Sequence, residues 1–178
     1  MPTLKDLLEV CADCPNFLLN VEMKAPDNLE VAARYNHTAA AQILCNLLSS
    51  YRVAKRVIIS SFSNAQLQAV NEASAGRRDF VIQSLRNHNG GPDDYSIDQT
   101  MDGVNLIYSQ LNRQLIENLR ETHSLLGVWF WTEQNIENHA MYVRVFETCG
   151  NIDFFYSDKP LEAMAARNAI FAACKTVA

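Results

Sequence analysis

The chain has no excess of basic residues, no long apolar run and no disulfide framework. Its 15 Lys and Arg are outnumbered by 20 Asp and Glu, for a formal net charge of -5. Such a balance argues against nucleic-acid binding, which usually needs a basic face. No apolar stretch approaches the roughly 20 residues of a membrane-spanning helix. The N-terminus shows no basic segment followed by an apolar one, so no signal peptide is read there and a cytoplasmic location is favoured. Five cysteines, an odd number spread over 178 residues, fit reduced thiols better than paired ones. Cys11-Ala12-Asp13-Cys14 is a C-x-x-C with neither a second C-x-x-C nor paired histidines at zinc spacing, and it closes an amphipathic helix. The glycine-rich phosphate loops G-x-G-x-x-G and G-x-x-x-x-G-K-[ST] are missing.

What is there is a regular alternation. Thr3 is placed to cap a helix carrying Leu4, Leu7, Leu8 and Cys11. Further helices are predicted over Ala39–Tyr51, with Ile43, Leu44, Leu47 and Leu48 as the apolar stripe, and from Asn64 to about Ala75. Three more follow: Asn112–Ser124 with Gly127 as a C-terminal cap, Asn138–Thr148, and Leu161–Thr176. Strands are predicted at Phe17–Met23, Val57–Phe62, Phe80–Leu85, Val104–Tyr108, Val128–Thr132 and Ile152–Asp158, with a long polar loop over Arg86–Asp102. The unbroken apolar run Val57-Ile58-Ile59 indicates burial on both faces, hence a parallel sheet. Strands alternating with helices predict βαβ units, in an open doubly wound sheet or a (β/α) barrel. Without a phosphate loop the open sheet loses its usual support. Polar residues recur instead at strand ends: Glu22 and Lys24, Ser60 and Ser61, Gln83, Trp131 and Thr132, Ser157 and Asp158. That distribution is the habit of a TIM barrel. The expectation is one α/β domain over 1–178.

Glu22 and Lys24 carry the most chemistry. Two residues apart on a strand, they share a face. Opposite charges at a strand tip are costly to bury unless they serve each other or a ligand. A carboxylate there suits a divalent cation, and an ammonium suits a phosphate oxygen. The plainer alternative is an ion pair at the sheet margin. None of the four histidines, His37, His88, His123 and His139, follows a strand as a general base would need to.

Taken in order, these segments resemble the glycerophosphodiester phosphodiesterase family. Pro2-Thr3-Leu4-Lys5-Asp6-Leu7-Leu8 is similar to its P-T-L-x-x-[LV]-L helix start, and Leu19-Asn20-Val21-Glu22-Met23-Lys24 to its L-N-[IV]-E-[IL]-K strand. Val57 to Phe62 resembles V-I-[IV]-S-S-F, and Trp131-Thr132 the late [VI]-W-T strand. Ile152-Asp153 through Ser157-Asp158-Lys159-Pro160 resembles the closing V-D-x-[IV]-x-T-D-x-P. The resemblance implies a partial TIM (β/α)8-type barrel, incompletely closed, and metal-assisted hydrolysis of a glycerophosphodiester to glycerol 3-phosphate and an alcohol. It makes Glu22 a ligand of Mg2+ or Ca2+ and Lys24 the catalytic phosphate contact. Trp131 would wall the pocket, with Ser61 and Asp158 at its mouth.

The family's His-Arg-Gly, Glu-x-Asp and His-Asp strands, which precede the P-T-L helix, have no counterpart in this sequence. Ser157 stands where Thr is common, and Glu133-Gln134-Asn135 where Val-Asn is common. An inactive or incomplete hydrolase is therefore expected, with weakly held metal and open strand edges prone to self-association. Three missing strands plus six here exceed the eight of a barrel, so one strand, Phe80–Leu85 or Val104–Tyr108 first, is expected to be irregular or accessory. Two readings compete. A Schiff-base aldolase using Lys24 would need a lowered lysine pKa, which Glu22 opposes. A non-catalytic phosphodiester-binding or interaction protein is favoured by the absent histidines.

Overall fold

The computed structural model describes residues 2–24, 26, 28–51, 53–74, 79–86, 101–130, 138–148 and 152–176. It forms two compact units, Met1–Leu85 with Thr100–Asp102, and Arg86–Gln99 with Gly103–Ala178.

In the first unit, helix α1 (Leu4–Ala12) starts at Thr3, whose hydroxyl accepts from Asp6 N while the Asp6 carboxylate accepts from Thr3 N at 2.7 Å. This capping box satisfies two N-terminal donors at once. At the other end, the Arg56 guanidinium donates to the carbonyls of Cys11, Cys14 and Phe17. A cation there complements the helix dipole. The C-x-x-C backbone is thus part of a helix end, and Cys11 and Cys14 are free thiols. Strand β1 (Leu19–Glu22) is followed by a one-turn helix α2 (Leu29–Ala32), which the apolar pattern did not reveal because its start is set by Asn28, accepting from Glu30 N and Val31 N. Helix α3 (His37–Ser50) is capped by Asn36 and buries Ala41, Leu44, Cys45 and Leu48. Ile43, expected in that stripe, is 68% exposed. The i, i+3, i+4, i+7 face from Ala41 excludes it.

Strand β2 (Val57–Ser61), helix α4 (Asn64–Ala73) and strand β3 (Val81–Leu85) complete the unit. β1 pairs with β2 and β2 with β3, both parallel, with Glu22 opposite Ser60 and Ser60 opposite Gln83. Asp102 closes β3's start: its N–H donates to Ile82 O at 3.0 Å and its carboxylate accepts from Ile82 N at 2.8 Å.

In the second unit, β4 (Gly103–Ile107), α5 (Arg113–Thr122), β5 (Leu125–Trp129), α6 (His139–Thr148), β6 (Phe154–Tyr156) and α7 (Pro160–Thr176) follow in order. β4 pairs with β5 and β5 with β6, again parallel. Val104, Leu106, Leu126 and Val128 are fully buried. Tyr142 of α6 packs with Ala163 and Ala166 of α7 against Phe130, Phe146 and Phe155. Pro160 opens α7, a position where its missing N–H costs nothing.

Two expectations are corrected here. Gly127 does not end a helix; it lies in the middle of β5, opposite Asn105 and Phe154. A Cβ at Gly127 would stand 2.6 Å from the Phe154 ring, so the glycine is there for close approach rather than for a turn. The irregular alternative is excluded for both Phe80–Leu85 and Val104–Tyr108: β3 and β4 are five-residue parallel strands. Strand–helix alternation with parallel pairing throughout is the α/β class, a partial (β/α) barrel.

Candidate functional site

The two faces of the first unit's sheet differ in kind. Val57, Ile59 and Ser61 of β2 project to one side, and Ile82 and Ser84 of β3 join them in register. Ser61 identifies that side as the one under α4. Its buried hydroxyl lies 2.6 Å from the Gln66 carboxamide and 2.7 Å from Met23 O, and accepts from Ser63 N at 3.0 Å. Ser61 therefore ties the end of β2 to the first turn of α4 and to the chain leaving β1.

The opposite face carries Asn20 and Glu22 of β1. The register places Glu22, Ser60 and Gln83 in one lateral row across three strands. Glu22 is exposed at the C-terminal end of β1. The Met23 N–H continues the ladder to Ser60 O at 2.8 Å, so alternation brings the exposed Lys24 back to the Glu22 face. Among the described residues, neither Glu22 nor Lys24 takes part in an ion pair. The margin ion pair between the two, the plainer reading of this sequence, is not formed.

Next to Glu22 the row turns from exposed to buried. Ser60 and Gln83 are 0% exposed, and among the described residues Ser60 Oγ, Gln83 Oε1 and Gln83 Nε2 have no hydrogen-bond partner. Their strand-end positions were visible in the sequence. Their burial and lack of partners were not, because both depend on what the neighbouring strands bring alongside.

In the second unit, Asp158 is exposed in the turn from β6 to α7. The same turn is held by Ser157 Oγ, which accepts from Lys159 N at 2.9 Å, and Lys159 lies 3.9 Å from Glu162. Asp153 accepts from Leu126 N at 2.8 Å and from Arg120 at 2.7 Å, so this acidic residue of the closing motif is engaged in structure. Trp129 donates its indole N–H to Arg86 O at 3.0 Å. Trp131 lies outside the described residues, as do His88 and most of the long loop. His37 and His139 open helices. His123, at the end of α5, is buried; burial, with a smaller contribution from Arg86, pushes its pKa down against the opposing bond to Leu119 O.

Among the described residues no group of three or more His, Cys, Asp or Glu side chains could hold a metal ion. Glu22 supplies one carboxylate, and a hard cation prefers six or more oxygens. The described residues do not by themselves fit a resident divalent metal.

No protein-family model matches this sequence. No curated protein matches it closely. Solved structures do match in shape. A glycerophosphodiester phosphodiesterase from Parabacteroides distasonis superposes with a TM-score of 0.73 at 18% identity, over 94% of this chain and 64% of its own. An Oleispira antarctica phosphodiesterase, solved with the product sn-glycerol-3-phosphate, gives 0.69 at 16% identity, over 94% and 61%. A glycerophosphodiester phosphodiesterase from Agrobacterium tumefaciens gives 0.63 at 13% identity, over 93% and 62%. The fold is that of part of a glycerophosphodiester phosphodiesterase barrel. The chain spans less than two thirds of the length of these structures. Among the described residues, no helix is long and apolar enough to cross a membrane.

Proposed function

We propose that this chain is the C-terminal part of a glycerophosphodiester phosphodiesterase-type barrel, a single domain over 1–178. Its reaction class is hydrolysis of a glycerophosphodiester to glycerol 3-phosphate and an alcohol. The observation that carries this reading is that Glu22 and Lys24 are exposed and, among the described residues, without an ion pair at one strand tip of a fold shared with such enzymes. Lys24 is the phosphate contact: its ammonium offsets the charge on the phosphoryl oxygens and orients the diester. Glu22 is one oxygen ligand of an incomplete cation set, so no step is assigned to a metal. Trp131 and Asp158 are candidates on the family resemblance alone. Ser61 holds the chain leaving β1 in place through its bonds to Met23 and Gln66.

General acid–base help from histidine typically supplies roughly 10²–10⁴-fold, and none of the described histidines lies at a strand tip. The isolated chain is therefore expected to bind ligand and to turn over little. An exposed Lys24 also lacks the dry surroundings a Schiff-base lysine needs. A binding protein without catalysis is the second reading, favoured by the same placement of the histidines. The test is incubation of purified chain with glycerophosphocholine and Mg2+ or Ca2+, assayed for glycerol 3-phosphate, alongside an NMR titration with sn-glycerol-3-phosphate. Binding with slow or absent turnover supports the proposal. Absence of binding overturns it.

A further inference from the structure

We propose that the cavity bounded by α6, the start of β6 and α7 is a binding site for a small aromatic monocarboxylate. The inference goes beyond the phosphodiesterase-type reading and does not depend on it. The cavity lies within the second unit, where the chain enters β6. The chemistry of a (β/α) barrel belongs to the opposite ends, where the chain leaves its strands.

The cavity holds about 280 Å³, and its lining includes Val145 and Phe146 of α6, Ile152, Asp153 and Phe155 at β6, and Arg167 of α7. Its space follows from the sequence of α7. That helix packs on Phe146 and Phe155 through two small side chains, Ala163 and Ala166. The Phe146 and Phe155 rings meet edge to face, with centroids 5.3 Å apart and planes at 77°. A ligand ring extends such a cluster with favourable contacts of the same kind. The volume falls just under the roughly 300–1,000 Å³ of most ligand pockets, so one ring with a short polar group fills it.

The charged groups of the lining select the polar end of the ligand. Arg167 is exposed. Among the described residues it makes no ion pair, and its guanidinium reaches the neighbouring Asn168 Oδ1 at 3.2 and 3.4 Å. A guanidinium presents a planar fork of donors that a carboxylate accepts in two parallel bonds. Asp153 limits the charge. Its Oδ2 is fixed in place by Leu126 N at 2.8 Å and Arg120 at 2.7 Å. A dianionic phosphate would bring a second negative charge against this carboxylate, whereas a monocarboxylate brings one, matched by Arg167. A neutral ring compound would fill the apolar part and leave the guanidinium unmatched.

The test is an NMR titration of the full chain with three one-ring probes: phenylacetate, phenyl phosphate and benzyl alcohol. Phenylacetate is expected to give saturable shifts at the amides of Phe146, Ile152 and Phe155, and to bind more tightly than the other two. Arg167→Gln is expected to weaken phenylacetate roughly three- to tenfold and to leave benzyl alcohol unchanged. Arg167→Lys, which keeps the charge and loses the fork, should fall between wild type and Arg167→Gln. Because Arg167 is exposed, the melting temperatures of both variants should match wild type, so a loss of binding is not a loss of fold. Absence of saturable shifts at these amides overturns the site. Phenylacetate affinity that Arg167→Gln retains, or a preference for phenyl phosphate, overturns the carboxylate assignment.

Discussion

The carboxylate of Asp153 and the backbone of Leu126 clasp each other: Asp153 Oδ2 accepts from Leu126 N at 2.8 Å, and Asp153 N donates to Leu126 O at 2.9 Å. Asp102 and Ile82 repeat the arrangement at the start of β3 in the other unit. An aspartate just before one strand thus fastens the first residues of another. The same Asp153 oxygen also takes Arg120 at 2.7 Å. Asp153→Ala is expected to cost about 1–2 kcal/mol, the range for a charge-assisted bond reduced for partial exposure. Asp153→Asn should cost less, because an amide oxygen still accepts from Leu126. Equal melting curves for wild type and Asp153→Ala would show that the clasp contributes nothing.

Gly127→Ala is expected to destabilise by about 1–3 kcal/mol, as overpacking does. Its new methyl group meets the Phe154 ring at 2.6 Å. Phe154→Leu should restore part of the loss in the Gly127→Ala background. Urea midpoints of the two single variants and the double variant decide. Strictly additive losses would place the strain somewhere other than this contact.

His123 introduces a pH dependence. Burial holds its pKa below the ordinary 6.5, with Arg86 adding to the effect. The unfolded chain protonates near 6.5 and the folded chain only at lower pH, so between those values the unfolded state binds more protons. Stability is therefore full above about 6.5 and falls as pH drops through the folded value. Melting temperatures of wild type and His123→Gln between pH 8 and 5 should diverge only in that acidic window. Parallel profiles would remove His123 as the cause.

Lys24→Met is expected to abolish phosphate and glycerol 3-phosphate binding without changing the melting temperature, since Lys24 is exposed and makes no ion pair among the described residues. Glu22→Gln should remove a weak divalent-metal response in calorimetry. Tight metal binding that survives Glu22→Gln would move the cation elsewhere, with Asp93, Asp94 and Asp98 the first residues to try.

Self-association is expected through β1, which pairs with β2 alone in its unit and is preceded by Phe17 and Leu18, 56% and 73% exposed. Unprotected strand edges invite another chain. Light scattering should show concentration-dependent mass, reduced by Leu18→Lys. A monodisperse monomer at all concentrations would contradict this.

The alternation of elements was legible in the sequence because helical and strand spacing are local patterns. Thr3, Asn36, Ser63 and Asn112 cap helices where short polar residues precede apolar periodicity. That Glu22 and Lys24 share a face is an expectation from strand period alone. Errors fell where contacts between elements overrode local pattern. Gly127 looked like a helix end until Phe154 was seen to need its missing side chain, and β5 accordingly begins three residues earlier than its apolar run suggested. Ser60 and Ser61 are adjacent and chemically identical in sequence. Only the register set one beside Glu22, without a partner among the described residues, and the other under α4 with three close polar neighbours. Sequence by itself determined which residues could alternate, cap and carry charge, since those properties belong to a residue and its near neighbours. Tertiary structure alone decided which polar groups are buried, which are paired and which stand open to a ligand. Those outcomes depend on atoms brought together from strands tens of residues apart.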